Sequence, residues 1–193
     1  MSPKGRRKRT LGTLACLWLA TAGAHAQAVT LPVPLRPQLN DVWCWAAAGE
    51  MAMSYVDPAG AFPQCAIAEV NKGKSPCCGA RPVDGCLAGG WLEFKDFAAF
   101  GFTNREANTL TWTRTRNEVA ANRPIIVWTE DGHMVVVAGH NGKSGKQRKV
   151  YVKDPWPPAD ANGLGGDTSW SGFGGLSDKT YKIYHRIKKK GST

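Results

Sequence analysis

The sequence has 193 residues, a formal net charge of +10, 42% hydrophobic residues and six cysteines. A chain of that length can bury one sizeable core. No nucleic-acid-binding motif accompanies the positive charge, which argues against a nucleic-acid partner.

The first stretch, MSPKGRRKRTLGTLACLWLATAGAHAQ, joins a basic start (Lys4, Arg6, Arg7, Lys8, Arg9) to an apolar run from Leu11 to Ala22 and the triplet Ala24-His25-Ala26. This is the pattern of a secretory signal peptide cut after Ala26. The apolar run is too short to span a bilayer, and no later stretch is long enough. Cys16 lies inside the run without a lipobox, so lipidation is set aside. The expectation is therefore residues 1–26 as signal and 27–193 as a single exported domain, periplasmic or secreted. Removing the five basic residues of the signal from the charge of +10 leaves +5. Several of these positives crowd towards the end (Lys182, Arg186, Lys188, Lys189, Lys190), where a solvated tail and an anionic partner explain them equally well.

Helix signals fill the first half. Apolar residues recur at helical spacing from Cys44 to Val56 and stop at Asp57-Pro58-Ala59-Gly60. A second short helix is predicted from Cys65 through Asn71, ending at Gly73, and a third from Leu92 to Phe100 with Gly101 as its stop. Thr115 followed by Glu118 reads as a capping box opening a fourth helix that runs to Asn122. Strand signals follow at Pro124 to Thr129, His133 to Gly139, Gln147 to Lys153 and Thr180 to Ile187, separated by turns such as Glu130-Asp131-Gly132 and Asn141-Gly142. Helices first and antiparallel strands second make an α+β domain, a helical half packed on a sheet half, with a cleft between them. The glycine-rich stretch from Trp156 to Leu176 is read as a loop that flanks the cleft, covers it as a lid, or is disordered.

Without Cys16, five cysteines remain: Cys44, Cys65, Cys77, Cys78 and Cys86. In an oxidising compartment an odd count leaves one thiol free, and Cys44 stands apart from the other four. Adjacent cysteines without a nearby histidine fit a zinc site poorly. Joining Cys77 to Cys78 would demand a strained turn. Of the two remaining pairings, Cys65 with Cys77 and Cys78 with Cys86 is preferred.

Cys44 opens its helix, where backbone N–H groups and the helix dipole favour a thiolate. Nucleophilic thiol chemistry also needs a histidine to carry the proton, a group to orient it, and oxyanion donors. His133 starts an apolar strand just after a glycine turn, whereas His140 lies at the far end of that strand and His185 in the basic tail. Asp154 ends the next strand, and antiparallel pairing brings its carboxylate towards His133.

The spacing of Gln38, Cys44 and Trp45 resembles the active-site stretch of papain-like cysteine peptidases. DGHMVVVAGH is similar to that family's histidine strand, and VKDPWPP to the branch that uses Asp to orient the histidine. The likeness is to small exported bacterial members akin to staphopains, plant-pathogen effector peptidases and double-glycine leader peptidases, and it runs from about Gln38 to Pro158. It implies Cys44 as nucleophile, His133 as general base and then general acid, Asp154 as orienting carboxylate, and Gln38 with the Cys44 N–H as oxyanion hole. Trp45 is expected to pack under the helix start. The nucleophile sits in DVWCWAA, where papain has a glycine-bearing CGSCW stretch, and the chain is shorter than papain, so cleft walls do not transfer.

The expected function is an exported thiol hydrolase that cleaves peptide bonds through an acyl-enzyme, acting as a monomer on protein or peptide substrates with no metal or organic cofactor and no membrane partner after signal cleavage. About eleven residues separate Ala26 from Gln38. That is too few for a long inhibitory pro-segment, so restraint is expected from compartment, redox state or a separate inhibitor. The rival readings are an amidase or transamidase using the same residues, a catalytically silent binding module, and a disulfide-stapled adhesin or toxin.

Overall fold

The computed structural model describes residues 27–79 and 82–191; the expected signal segment lies outside them. Helix α1 (Cys44–Val56) is buried almost all round, with Trp45, Ala46, Ala47, Ala48, Met51 and Ala52 at 0% exposure. Alanine combines high helix propensity with small volume, so this helix can lie close against the sheet. Helix α2 (Gln64–Lys72) ends where Gly73 turns left-handed at φ +59°, a conformation that costs glycine nothing. Helix α3 (Phe94–Ala99) is shorter than expected and carries a reciprocal capping box between Glu93 and Asp96.

Helix α4 (Trp112–Ala120) corrects the sequence reading. It starts at Thr111, whose hydroxyl accepts from Arg114 N at 3.2 Å. Thr115 and Glu118 are buried inside the helix and do not cap it. Residues three apart share a helix face, so the same spacing also arises on an inward-facing stripe.

The strands form one antiparallel sheet. Strands β3 (Ile125–Thr129), β4 (Met134–His140), β5 (Lys149–Asp154) and β7 (Thr180–Lys189) fall close to the expected runs. Three more strands were not anticipated: β1 (Val29–Thr30), β2 (Phe102–Ala107) and β6 (Asp167–Gly172). The order is β2-β7-β3-β4-β5-β6, with β1 added to the end of β4. Gly139 makes that last pairing feasible, since a Cβ there would lie 2.4 Å from the Val29 carbonyl oxygen.

Alternation along the strands sends Ile126, Met134, Val136, Ala138 and Tyr184 towards α1 and its neighbours. It sends Ile125, Val127, Val135, Val137 and Ile183 into a second core with Leu110 and Phe173. Each fully buried side chain of this size contributes about 1.5–3 kcal/mol. With both faces covered, every residue of β4 is buried. The α+β arrangement expected from the element order is present, with α1–α3 packed on the first core, while α4 gives Val119 to that core and Trp112 to the second.

Two further expectations change. The basic end is no solvated tail, because Lys182, Arg186, Lys188 and Lys189 ride on β7, which is paired to β2 and β3. The glycine-rich stretch is structured in its second half as β6 and helix α5 (Phe173–Asp178).

Candidate active site

Cys44 is the first residue of α1, and no side chain caps that helix. The first-turn N–H groups are thus left to interact with negative charge beside the thiol. Among the described residues Cys44 is the free cysteine, 9% exposed, with Sγ 3.9 Å from the Gly132 carbonyl oxygen. Trp45 packs under the helix start as expected, fully buried, with the Lys72 ammonium 5.3 Å from its ring centroid.

The β3–β4 turn fixes His133. Thr129 N donates to the His133 carbonyl at 2.9 Å, the Thr129 hydroxyl donates to Asp131 Oδ1, and Gly132 takes φ +86°. That bond from Thr129 holds the Asp131 carboxyl below its ordinary range.

The β4–β5 register pairs Val136 with Lys153, which sets Asp154 diagonal to His133. His133 Nε2 and Asp154 Oδ1 are 2.7 Å apart, and the second bond to that oxygen is donated by Trp156 N at 2.9 Å. The Cys44 side chain faces the same cavity and, like Asp154, favours the charged form of the ring. Burial works against the imidazolium, but the bonds and charges of Asp154 and Cys44 outweigh it and push the His133 pKa up to about 10.

Gln38 is 1% exposed. Its backbone N donates to the Pro155 carbonyl at 3.0 Å and its carbonyl accepts from Ala159 N at 2.9 Å, so it is sewn to the segment just beyond Asp154. Its Nε2 donates to the Asn40 carbonyl at 2.7 Å. A carboxamide nitrogen carries two hydrogens, which leaves one donor unused.

These four residues line one cavity of about 500 Å³, walled on one side by Gly89 and Gly90 and on another by Trp156. Trp156 is the part of the glycine-rich stretch that flanks the cleft. His140 and His185 line other cavities.

The cysteine-rich segment braces this wall. The disulfides are Cys65–Cys78 and Cys77–Cys86, which corrects the preferred pairing. Loop-closure entropy barely separates the alternatives, since the loops differ by one residue each. Glu69 Oε1 accepts from Cys77 N at 2.8 Å and Cys78 N at 3.3 Å, holding the adjacent cysteines against α2. The Trp43 indole then donates to the Cys86 carbonyl at 2.9 Å, fastening the segment beside Cys44.

Sequence reasoning did not find Gln64. Its side chain accepts from Leu39 N at 3.0 Å and donates to the Pro37 carbonyl at 2.9 Å, gripping both neighbours of Gln38. Glu50 accepts from the same amide at 3.1 Å and faces Arg36 at 3.4 Å. Burial pushes the Glu50 carboxyl up, against the bond from Gln64 and the charge of Arg36.

Among solved structures, the peptidase domain of Streptococcus ComA, a bifunctional ABC transporter involved in quorum sensing, shares the fold. It aligns with a TM-score of 0.54 at 12% identity, covering 82% of this chain and 99% of that domain. A double-glycine motif protease from an AMS/PCAT transporter, in complex with a leader peptide, aligns at a TM-score of 0.48 and 16% identity, over 85% of this chain and 99% of that one. Comparison with curated protein sequences gives no match. Residues 25–165 match the family described as "Papain-like cysteine protease AvrRpt2". That match spans most of the chain, which therefore belongs to the AvrRpt2 family of papain-like cysteine proteases.

Proposed function

We propose that this protease is an exported enzyme whose catalytic groups are Cys44, His133, Asp154 and Gln38, carried by a single domain over 27–193. The observation that carries the reading is the meeting of Cys44, His133 and Asp154 in one cavity, with His133 Nε2 2.7 Å from Asp154 Oδ1 and the His133 pKa raised to about 10. At neutral pH the proton then rests on the imidazole, and the sulfur is the nucleophile.

Cys44 Sγ attacks the peptide carbonyl carbon, and the oxyanion is received by the second Gln38 Nε2 hydrogen and the Cys44 N–H. His133 passes its proton to the leaving amine, and a thioester forms at Cys44. Water, deprotonated by His133, attacks the thioester; the acid leaves and the sulfur regains its pairing with imidazolium. Asp154 holds the ring with Nε2 committed to it, so the other nitrogen faces sulfur.

The substrate is a protein or peptide, the enzyme acts as a monomer, and the scheme calls for no metal or organic cofactor. Two disulfides and a signal-like start support export. Among the described residues, no helix is long and apolar enough to cross a membrane.

The test is casein hydrolysis by protein purified from the periplasm or medium, beside Cys44→Ala. Hydrolysis by the parent alone, with a chain beginning at Gln27, supports the reading. Equal hydrolysis by the variant, or intact casein with both, would contradict it.

A further inference from the structure

Strand β7 carries a feature that the protease chemistry leaves unused. Its pairing with β2 runs Thr103 opposite Lys188 and then Arg105 opposite His185, so Arg186 and Ile187 together face Asn104. Two residues against one is a β-bulge. Arg186 adopts φ +52° there, a left-handed conformation that strains any residue with a Cβ. Glycine would fit without strain, yet the position holds arginine.

The bulge aims at two adjoining cavities, of about 520 and 370 Å³, that share Arg105, Arg123 and Arg186. Arg114, His185, Glu106 and Glu118 also line the larger, and Lys188 and Asn104 the smaller. Glu118 is consumed by structure: it binds Arg123 Nε at 2.7 Å and Arg123 Nη2 at 3.3 Å, and accepts from Arg186 N at 3.0 Å. Glu106 pairs with Lys182. Among the described residues, no carboxylate lies in ion-pair reach of Arg105, Arg114, Arg186 or Lys188.

One buried ring nitrogen at the same place makes no hydrogen bond: His185 Nδ1 lies 3.6 Å from Glu118 Oε1, within ion-pair distance but beyond hydrogen-bond reach, on a residue 7% exposed. Like charges converge, the backbone is strained where it supplies one of them, and a buried histidine faces the space with its Nδ1 making no hydrogen bond. An anion would relieve the mutual repulsion, and guanidinium forks match tetrahedral oxyanions with paired bonds.

We propose that these cavities are a binding site for a ligand bearing two or more phosphate groups. Its lining shares no residue with the Cys44 cleft. The same chemistry can arrive on a soluble polyphosphate or on a lipid headgroup.

The experiment is calorimetric titration of the purified protein with sodium tripolyphosphate, beside Arg105→Gln and Arg186→Gly. Sodium sulfate at matched ionic strength is the control. Saturable binding is expected, weakened about tenfold or more by either substitution, since each removes charge-assisted bonds. Arg186→Gly keeps the N–H that bonds to Glu118 and relaxes the left-handed backbone, so its Tm does not fall and lost binding cannot be ascribed to unfolding. Casein hydrolysis is expected to stay unchanged in both variants.

Flotation with phosphatidylcholine vesicles containing cardiolipin separates the two sources. Flotation abolished by Arg186→Gly assigns a lipid-borne ligand, and tripolyphosphate binding without flotation assigns a soluble one. Variants that bind like the parent in both arms, or tripolyphosphate heats indistinguishable from sulfate together with no Arg186-dependent flotation, would overturn the site.

Discussion

His133 Nε2 stands 2.7 Å from Asp154 Oδ1, and Asp154 and Cys44 together push the imidazole pKa up to about 10. Two partners on one ring both favour the charged form. The stabilisation they give the fold is fully present below the ordinary value of 6.5 and is lost as pH rises through about 10. The high-pH limb of kcat/KM is accordingly expected near 10 for the parent enzyme. Asp154→Ala removes one partner and should move that limb down towards 6.5, with Asp154→Asn intermediate because it keeps a bond without the charge. A pH–rate profile of peptide hydrolysis checks this, and a parental limb already near 6.5 would count against the charge-paired ring.

Gln38 has one amide hydrogen committed to Asn40 and one to spare. Replacing it with Ala should lower kcat by about a hundredfold while leaving KM nearly unchanged, because the lost bond is made to charge that develops after binding. Steady-state kinetics on a fluorogenic peptide give both constants. A variant with unaltered kcat would remove Gln38 from the oxyanion hole.

Gln64 holds Pro37 and Leu39 on either side of Gln38 and gives Glu50 a hydrogen bond. Gln64→Ala strips partners from buried groups and is expected to cost about 1–3 kcal/mol of stability. Its kcat should also fall, by about tenfold, because Gln38, the proposed oxyanion donor, loses its setting. Urea unfolding and kinetics on the same preparation separate the effects, and reduced stability with full kcat would make Gln64 structural alone.

The disulfides Cys65–Cys78 and Cys77–Cys86 close loops with sequence separations of 13 and 9. Loops of that size contribute about 2–3 kcal/mol each. Replacing Cys77 and Cys86 together with Ala should therefore lower the unfolding free energy by about that much. It should also depress activity, since the Cys86 carbonyl receives the Trp43 indole. Stepwise reduction with differential alkylation tests the connectivity, and recovery of Cys65 joined to Cys77 would contradict it.

What the sequence disclosed follows from how its signals are written. Helix α1 and strands β3, β4, β5 and β7 carry long apolar runs, and Gln38, Cys44, His133 and Asp154 sit at spacings that chain order preserves. Strands β2 and β6 were hidden because they have only one buried residue between them and many polar ones, as TNRE and DTS show. Period-two alternation does not register when a strand leans on the core at one point. Gln64 gives no local sign of its role, because a loop distant in sequence supplies both of its backbone partners. The positive charges of β7 read as a tail for a similar reason: only the pairing with β2 and β3 reveals a sheet strand under them.

The most direct test is alkylation of the non-reduced protein with iodoacetamide at neutral pH, followed by peptide mass mapping, beside His133→Ala. Fast labelling confined to Cys44, and slowed in the variant, is the expected result. Labelling of Cys44 no faster than an ordinary thiol, or at the same rate without His133, would contradict a sulfur activated by that histidine.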